Sequence, residues 1–152
     1  MAGVVSWVKP VSRPQPGRFS AATEYVLWGT NGPRPMRGEP LPGWREASTP
    51  PVRWHNAEKP VSLMRQLVRI ARPGGLVLDP FTGSGSTGVA ALLEQRRFLG
   101  IECMAEHHRI AQQRLRLTAR ALQAGIDPGD PRTPAHLDAL RDRLDHHTDH
   151  PR

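Results

Sequence analysis

The stretch LDPFTGSGSTG, Leu78 to Gly88, constrains the fold of this chain more than any other. It joins a short apolar run, Leu76-Val77-Leu78, to a helix that opens at Thr87 and runs to Gln95. Glycines at such a junction let the backbone turn sharply and pass close to a ligand, while the helix aims its free N–H groups and positive end at the same place. Arg97 to Glu102 (RFLGIE) reads as the next strand. Ala105 to Ala124 reads as a long helix with Ala111, Leu115 and Leu122 on one stripe and Gly125 as its terminator. Upstream, Pro60 to Ala71 has a proline suited to the first helical position, with Leu63, Met64, Leu67 and Ile70 on one face, and Pro73-Gly74-Gly75 stops it. The order helix, strand, glycine loop, helix, strand, helix predicts a βαβ unit with parallel strands, in the doubly wound α/β class.

The flanking segments are simpler. Val4 to Lys9 and Glu24 to Thr30 are β-branched and aromatic and read as an antiparallel strand pair with a long Pro- and Arg-rich connection. Asn31 to Asn56 has no usable periodicity and reads as a binding loop or a disordered segment. From Asp127 the chain turns polar, and Thr133-Pro134 marks the start of a short helix carrying Leu137, Leu140 and Leu144. The expected organisation is a domain over 1–125, divided into a strand pair (1–32), a target-facing loop (33–56) and a glycine-loop half (57–125), followed by a polar tail over 126–152. No apolar run approaches the roughly 20 residues of a membrane span, and no signal peptide is legible. Cys103 is the only cysteine, which excludes an internal disulfide and makes a cytoplasmic location the expectation. The net charge of +7 favours polyanionic partners.

GSGSTG, Gly83 to Gly88, matches the dinucleotide pattern G-x-G-x-x-G, yet its flanks argue for another ligand. No Lys-Ser/Thr follows the glycines, so a phosphate-binding P-loop is excluded. Asp79-Pro80-Phe81 separates the strand from the first glycine, and an acid at the strand end repels a pyrophosphate. The same acid suits a ligand bearing an ammonium group. Glu102, about 20 residues after the glycines, is placed to accept hydrogen bonds from ribose hydroxyls. S-adenosylmethionine carries both groups and no phosphate; a nicotinamide-binding fragment is the rival reading.

DPFTGSGSTG, preceded by HNAEKPVSLMRQLVRIARPGG and followed by RRFLGIE, resembles the C-terminal half of DNA amino-methyltransferases, which methylate N6 of adenine or N4 of cytosine. The similarity is to the permuted group whose catalytic motif precedes the cofactor motif, and it covers about Val4 to Leu122. The resemblance implies a partial Rossmann-like methyltransferase fold: a cofactor βαβ unit plus the N-terminal β-hairpin, with the central strands missing. It implies S-adenosylmethionine as cofactor, with Asp79, Phe81, Gly83 and Gly85 forming the cofactor loop and Asp79 near the methionine amino group. Ser86 and Thr87 would start the helix beneath, and Glu102 would take the ribose. The segment His55, Glu58, Lys59, Pro60 would close the methionine side, with Lys59 facing the cofactor carboxylate.

The family's catalytic tetrapeptide, Asp/Asn/Ser-Pro-Pro-aromatic, is not found in the 152 residues; in Thr49-Pro50-Pro51-Val52 the first residue is a poorer acceptor, the fourth is not aromatic, and the stretch follows the strand pair rather than preceding it. The expected enzyme is therefore a split or truncated methyltransferase, marginally stable and silent alone. Its expected partners are double-stranded DNA and a second chain bringing the catalytic half; a non-catalytic DNA- or cofactor-binding remnant is the alternative. Arg13, Arg18, Arg34, Arg37, Trp44 and Arg45 are the candidate DNA contacts. Trp7 and Trp28 read as strand core, and Cys103 as a small core residue. No metal site is expected: the His and Asp residues near the C-terminus have no ligand spacing.

Overall fold

The computed structural model describes residues 1–10, 16–33, 40–49, 54, 57–129 and 134–148. The chain divides into two compact units, Met1–Thr49 and Pro50–Arg152.

The first unit is a three-stranded sheet. β1 (Ala2–Val8) pairs antiparallel with β2 (Thr23–Gly29), in register from Ala2 opposite Gly29 to Val8 opposite Thr23. The expected strand pair is thus present. On the other side of β1 lies β3 (Trp44–Glu46), parallel, with Ser6 opposite Trp44. This strand falls inside the segment that shows no periodicity, because three residues are too few to display an alternation. One face gathers Trp7, which is buried and donates its indole N–H to the Ala47 carbonyl at 2.7 Å. On the same face Trp28 lies over Gly3, where a Cβ would come within 2.8 Å of the indole nitrogen. The opposite face leaves Val4, Tyr25, Leu27 and Trp44 exposed.

The second unit holds α1 (Val61–Val68), β4 (Leu76–Asp79), α2 (Ser86–Leu93), β5 (Arg97–Gly100), α3 (Ala105–Gln123) and α4 (Pro134–Thr148). β4 and β5 pair in parallel, from Leu76 opposite Arg97 to Asp79 opposite Gly100, as expected of a βαβ unit. Val61, Val68, Val89 and Ala90 form one core, with Met64, Val77, Leu93 and Leu115 packed against it. The α1 stripe is shifted from the expected one: α1 stops at Val68, so Ile70 lies beyond the helix and is exposed, while Val61 is buried. Arg96 ties the end of that turn by donating from Nε (3.1 Å) and a terminal nitrogen (2.9 Å) to the Ala71 carbonyl. Gly88 lets α2 settle on β5: a Cβ there would meet Phe98 at 2.6 Å and Leu115 at 2.7 Å.

α3 ends as expected at Gly125 (φ 70°). Gly125 N–H bonds Leu122 O and Ile126 N–H bonds Ala121 O, the paired closure of a Schellman motif. Ile126 then packs against a second core of Leu117, Ala121, Leu137, Leu140 and Leu144. The segment read as a polar tail therefore contributes a 15-residue helix with three buried leucines to this unit. Their i, i+3, i+7 spacing is the stripe of the short helix expected there, and it is buried against Leu117 and Ala121 of α3. Leu122, expected on the α3 stripe, is exposed; the buried stripe runs through Ala111, Arg114, Thr118 and Ala121.

One face of the β4–β5 pair is covered by α2. The other carries Leu76, Leu78, Leu99 and Ile101, which are 53%, 58%, 52% and 57% exposed. Among the described residues no helix is long and apolar enough to cross a membrane.

Candidate functional site

The glycine turn is knit to the ends of both parallel strands. The Asp79 carbonyl accepts from the Ile101 N–H at 2.9 Å and from the Thr82 hydroxyl at 3.0 Å, and Thr82 N–H returns to the Ile101 carbonyl at 3.0 Å. Asp79 Oδ1 accepts the Phe81 N–H at 3.0 Å, which fixes the carboxylate at the mouth of the turn. Phe81 is thereby turned outward and lies 87% exposed. Gly83 (φ 55°) and Gly85 (φ 89°) occupy the left-handed region, which side chains disfavour. Gly85 has a second reason to be glycine, since a Cβ would sit 3.1 Å from that of Ala111 on α3.

Glu102 closes the turn from the other strand. Its Oε2 accepts the Gly83 N–H at 2.7 Å and its Oε1 accepts the Met104 N–H at 2.8 Å. These bonds, Met104 first and Gly83 second, hold its pKa below the ordinary carboxylate value. Glu102 is thus an ionised acceptor on a rigid mount, with lone pairs left for further donors. Two carboxylates, Asp79 and Glu102, accordingly flank a glycine turn at the C-terminal end of parallel strands. That arrangement accepts hydroxyl and ammonium groups and disfavours phosphates. Cys103 is exposed beside Glu102, where its thiol donates to Oε1 at 3.7 Å. The expectation of a core cysteine is corrected: β5 has ended at Gly100, and Cys103 lies in the open turn beyond it.

Behind the turn is a buried ion pair that the sequence does not announce. Arg114 of α3 is fully buried, and its NH1 donates to Glu58 Oε1 (3.0 Å), the Ser84 carbonyl (2.7 Å) and Ser84 Oγ (3.1 Å). Glu58 Oε1 also accepts the Ser86 hydroxyl at 3.3 Å, and Oε2 accepts the Trp54 N–H at 2.8 Å. Glu58 therefore anchors the segment before α1 to the glycine turn and to α3. The one trace of this in the sequence is an arginine at a stripe position between Ala111 and Thr118, easily lost in an Arg-rich chain.

The other candidates are distributed as follows. Ser86 is buried with its hydroxyl on Glu58, and Thr87 is half-buried in the first turn of α2. Lys59 is exposed, immediately before Pro60 at the start of α1. In the first unit Arg18 is exposed, Trp44 is exposed on β3, and Arg45 is half-buried on the opposite face of that strand. His55, Arg13, Arg34 and Arg37 lie outside the described residues. Among the described residues no group of His, Cys, Asp and Glu could hold a metal ion.

Known proteins similar to this chain in sequence and fold include DNA methylases. The N6/N4 methyltransferase family model, described as DNA methylase, matches residues 1–113. YubD of Escherichia coli (strain K12), named as a methylase, is 46% identical over 110 residues, spanning 70% of this chain and 46% of its own length. The type II methyltransferase M2.DpnII of Streptococcus pneumoniae is 32% identical over 116 residues, spanning 64% of this chain and 43% of its own. The solved complex of M1.HpyAVI with S-adenosylmethionine (SAM) superposes with a TM-score of 0.59 at 30% identity, covering 74% of this chain and 60% of that one. This chain spans about half the length of the curated relatives it matches. With three quarters of its length inside the family model and its parallel strands, glycine turn and acidic strand ends in place, the chain belongs to the N6/N4 DNA methylase family.

Proposed function

We propose that this chain is the cofactor-binding part of a DNA amino-methyltransferase of the permuted group, holding S-adenosylmethionine at the glycine turn. The observation that carries the reading is Glu102: an ionised carboxylate bonded to the Gly83 N–H, two residues past the end of β5, the strand beside the one that ends in Asp79. In this reading Glu102 accepts the ribose hydroxyls, Asp79 faces the methionine ammonium, and Gly83 and Gly85 let the backbone approach. Phe81, already turned outward, covers the cofactor. Lys59 faces the cofactor carboxylate, and Ser86 and Thr87 supply backbone at the start of α2. When bound, S-adenosylmethionine supplies an electrophilic methyl on sulfonium; this chain's residues bind and orient it.

The acceptor in this reading is an exocyclic amino group of adenine or cytosine in duplex DNA, on a base flipped out of the stack. Activation of that group falls to an Asp/Asn/Ser-Pro-Pro-aromatic segment on further polypeptide, in the same chain or a second one. The exposed face of β4 and β5 supports this. Parallel strands are ordinarily covered on both faces, and here Leu76, Leu78, Leu99 and Ile101 stand open. In the first unit, exposed Trp44 and Arg18 are the described residues best disposed to meet DNA.

Calorimetric titration tests the reading. S-adenosylmethionine and its demethylated product should bind one site per chain, and Glu102→Ala should abolish both. Saturable binding of NAD with none of S-adenosylmethionine would replace this reading with the nicotinamide one.

A further inference from the structure

α3 and α4 enclose a cleft of about 300 Å³, floored by Leu117 and walled by Arg109, Gln112, Gln113, Arg116, Arg120 and Arg141. We infer that this cleft is a second, sequence-independent binding site for the phosphate backbone of duplex DNA. Four guanidinium groups and two amides line it, and among the described residues no acid does. The acids of these two helices are Glu106, one turn before Arg109, Asp138, which pairs with Arg141 at 3.2 Å, and Asp142 and Asp145. Arg109, Arg116, Arg120 and Arg141 are all exposed.

The arrangement is not an ordinary solvated face. Surface helices usually alternate charge so that neighbours four apart attract. On α3 the exposed Arg116 and Arg120 are four apart and carry like charge. Glu106 is the one acid in the 19 residues of α3. A polyanion laid in the cleft meets both guanidinium groups. Arg109 to Arg120 spans about 16 Å along the helix at 1.5 Å per residue. A DNA strand advances roughly 3.4 Å per phosphate, so three arginines on α3 reach phosphates several steps apart, with Arg141 adding a contact from α4. Guanidinium forks bind phosphate oxygens in pairs. A small anion would need an enclosed pocket, whereas this cleft is open along its length.

The cleft lies on the side of α3 away from the glycine turn. Ala111 and Arg114 face the turn, whereas residues 109, 112, 116 and 120 project roughly opposite by the helical repeat. The proposed contact therefore adds affinity without touching the target base. It rests on the methyltransferase reading only for the choice of DNA as the polyanion.

The test is fluorescence anisotropy of a labelled duplex titrated with the full chain between about 50 and 200 mM salt, the range in which phosphate contacts are lost. Arg116→Gln/Arg120→Gln/Arg141→Gln should reduce the slope of log K against log salt by nearly 3, at about 0.9 per contact. Replacement of the same three residues by Lys should keep most of the slope. If the glutamine variant does not melt cooperatively, Arg120→Gln alone should lower the slope by about 0.9. A wild-type slope in the glutamine variant, or displacement of DNA by an equal charge of polyaspartate, would overturn the inference. A parallel titration with the demethylated cofactor separates the two readings. Lost cofactor binding with the slope change intact sinks only the function above; intact cofactor binding with an unchanged slope sinks only the cleft.

Discussion

Replacing Arg114 by Met should unfold much of the second unit's stability, and the structure says why. Arg114 is fully buried, and the Glu58 side chain is 1% exposed. Met fills similar space but leaves Glu58 Oε1 with the Ser86 hydroxyl at 3.3 Å, and removes the donor shared by the Ser84 carbonyl and Oγ. An uncompensated buried charge of this kind costs about 3–5 kcal/mol. For a unit near 100 residues, 1 kcal/mol shifts the melting temperature by about 4–8 °C, so the midpoint should fall by well over 10 °C, as followed by circular dichroism. Glu58→Met/Arg114→Met should recover a large part of the loss, because removing both charges leaves nothing buried unpaired. A single Arg114→Met variant melting within about 1 kcal/mol of wild type, the size of an ordinary surface effect, would refute the reasoning. So would a double variant no better than the single.

Other positions give sharper local expectations. Gly85→Ala forces a side chain into φ 89° and to 3.1 Å from Ala111, and should cost more than about 1 kcal/mol in chemical denaturation. Leu140→Ala, in the α3–α4 core, should cost about 2–5 kcal/mol by the same measurement; no loss would show that α4 does not support this unit. Glu102 has a depressed folded-state pKa, so its contribution to stability is complete above the unfolded value and is lost as pH falls through the folded one. Glu102→Gln should flatten that acid limb, and carboxyl NMR should show a midpoint below the ordinary value. Leu78→Ser/Leu99→Ser, on the open sheet face, should reduce binding of a hydrophobic dye without lowering the melting temperature; a fall in melting temperature would mean that face is already covered.

The site was more legible in the sequence than the packing around it. Turn glycines, a proline at a helix start and acids at strand ends act locally, so Gly83, Gly85, Pro60, Asp79 and Glu102 announced themselves. The Schellman closure at Gly125 was legible for the same reason. Long-range pairings were not. β3 has three residues and is defined only by its partner β1. Arg114 meets Glu58 across 56 residues, and its place on the stripe between Ala111 and Thr118 is the one mark it carries. The shift of the α3 stripe from Leu122 to Ala121 follows from that arginine, because a helix face chosen by a buried ion pair need not be its most apolar one. Cys103 was misread because small apolar residues are usually buried, while strand ends at ligand sites are open.

The most direct measurement is the titration of the purified chain with S-adenosylmethionine, beside Glu102→Ala and with NAD as the control ligand. The account predicts one saturable site for S-adenosylmethionine and its demethylated product, lost in Glu102→Ala while the fold persists, and no binding of NAD. Binding that survives in Glu102→Ala at wild-type strength would contradict the claim that the glycine turn and Glu102 hold the cofactor.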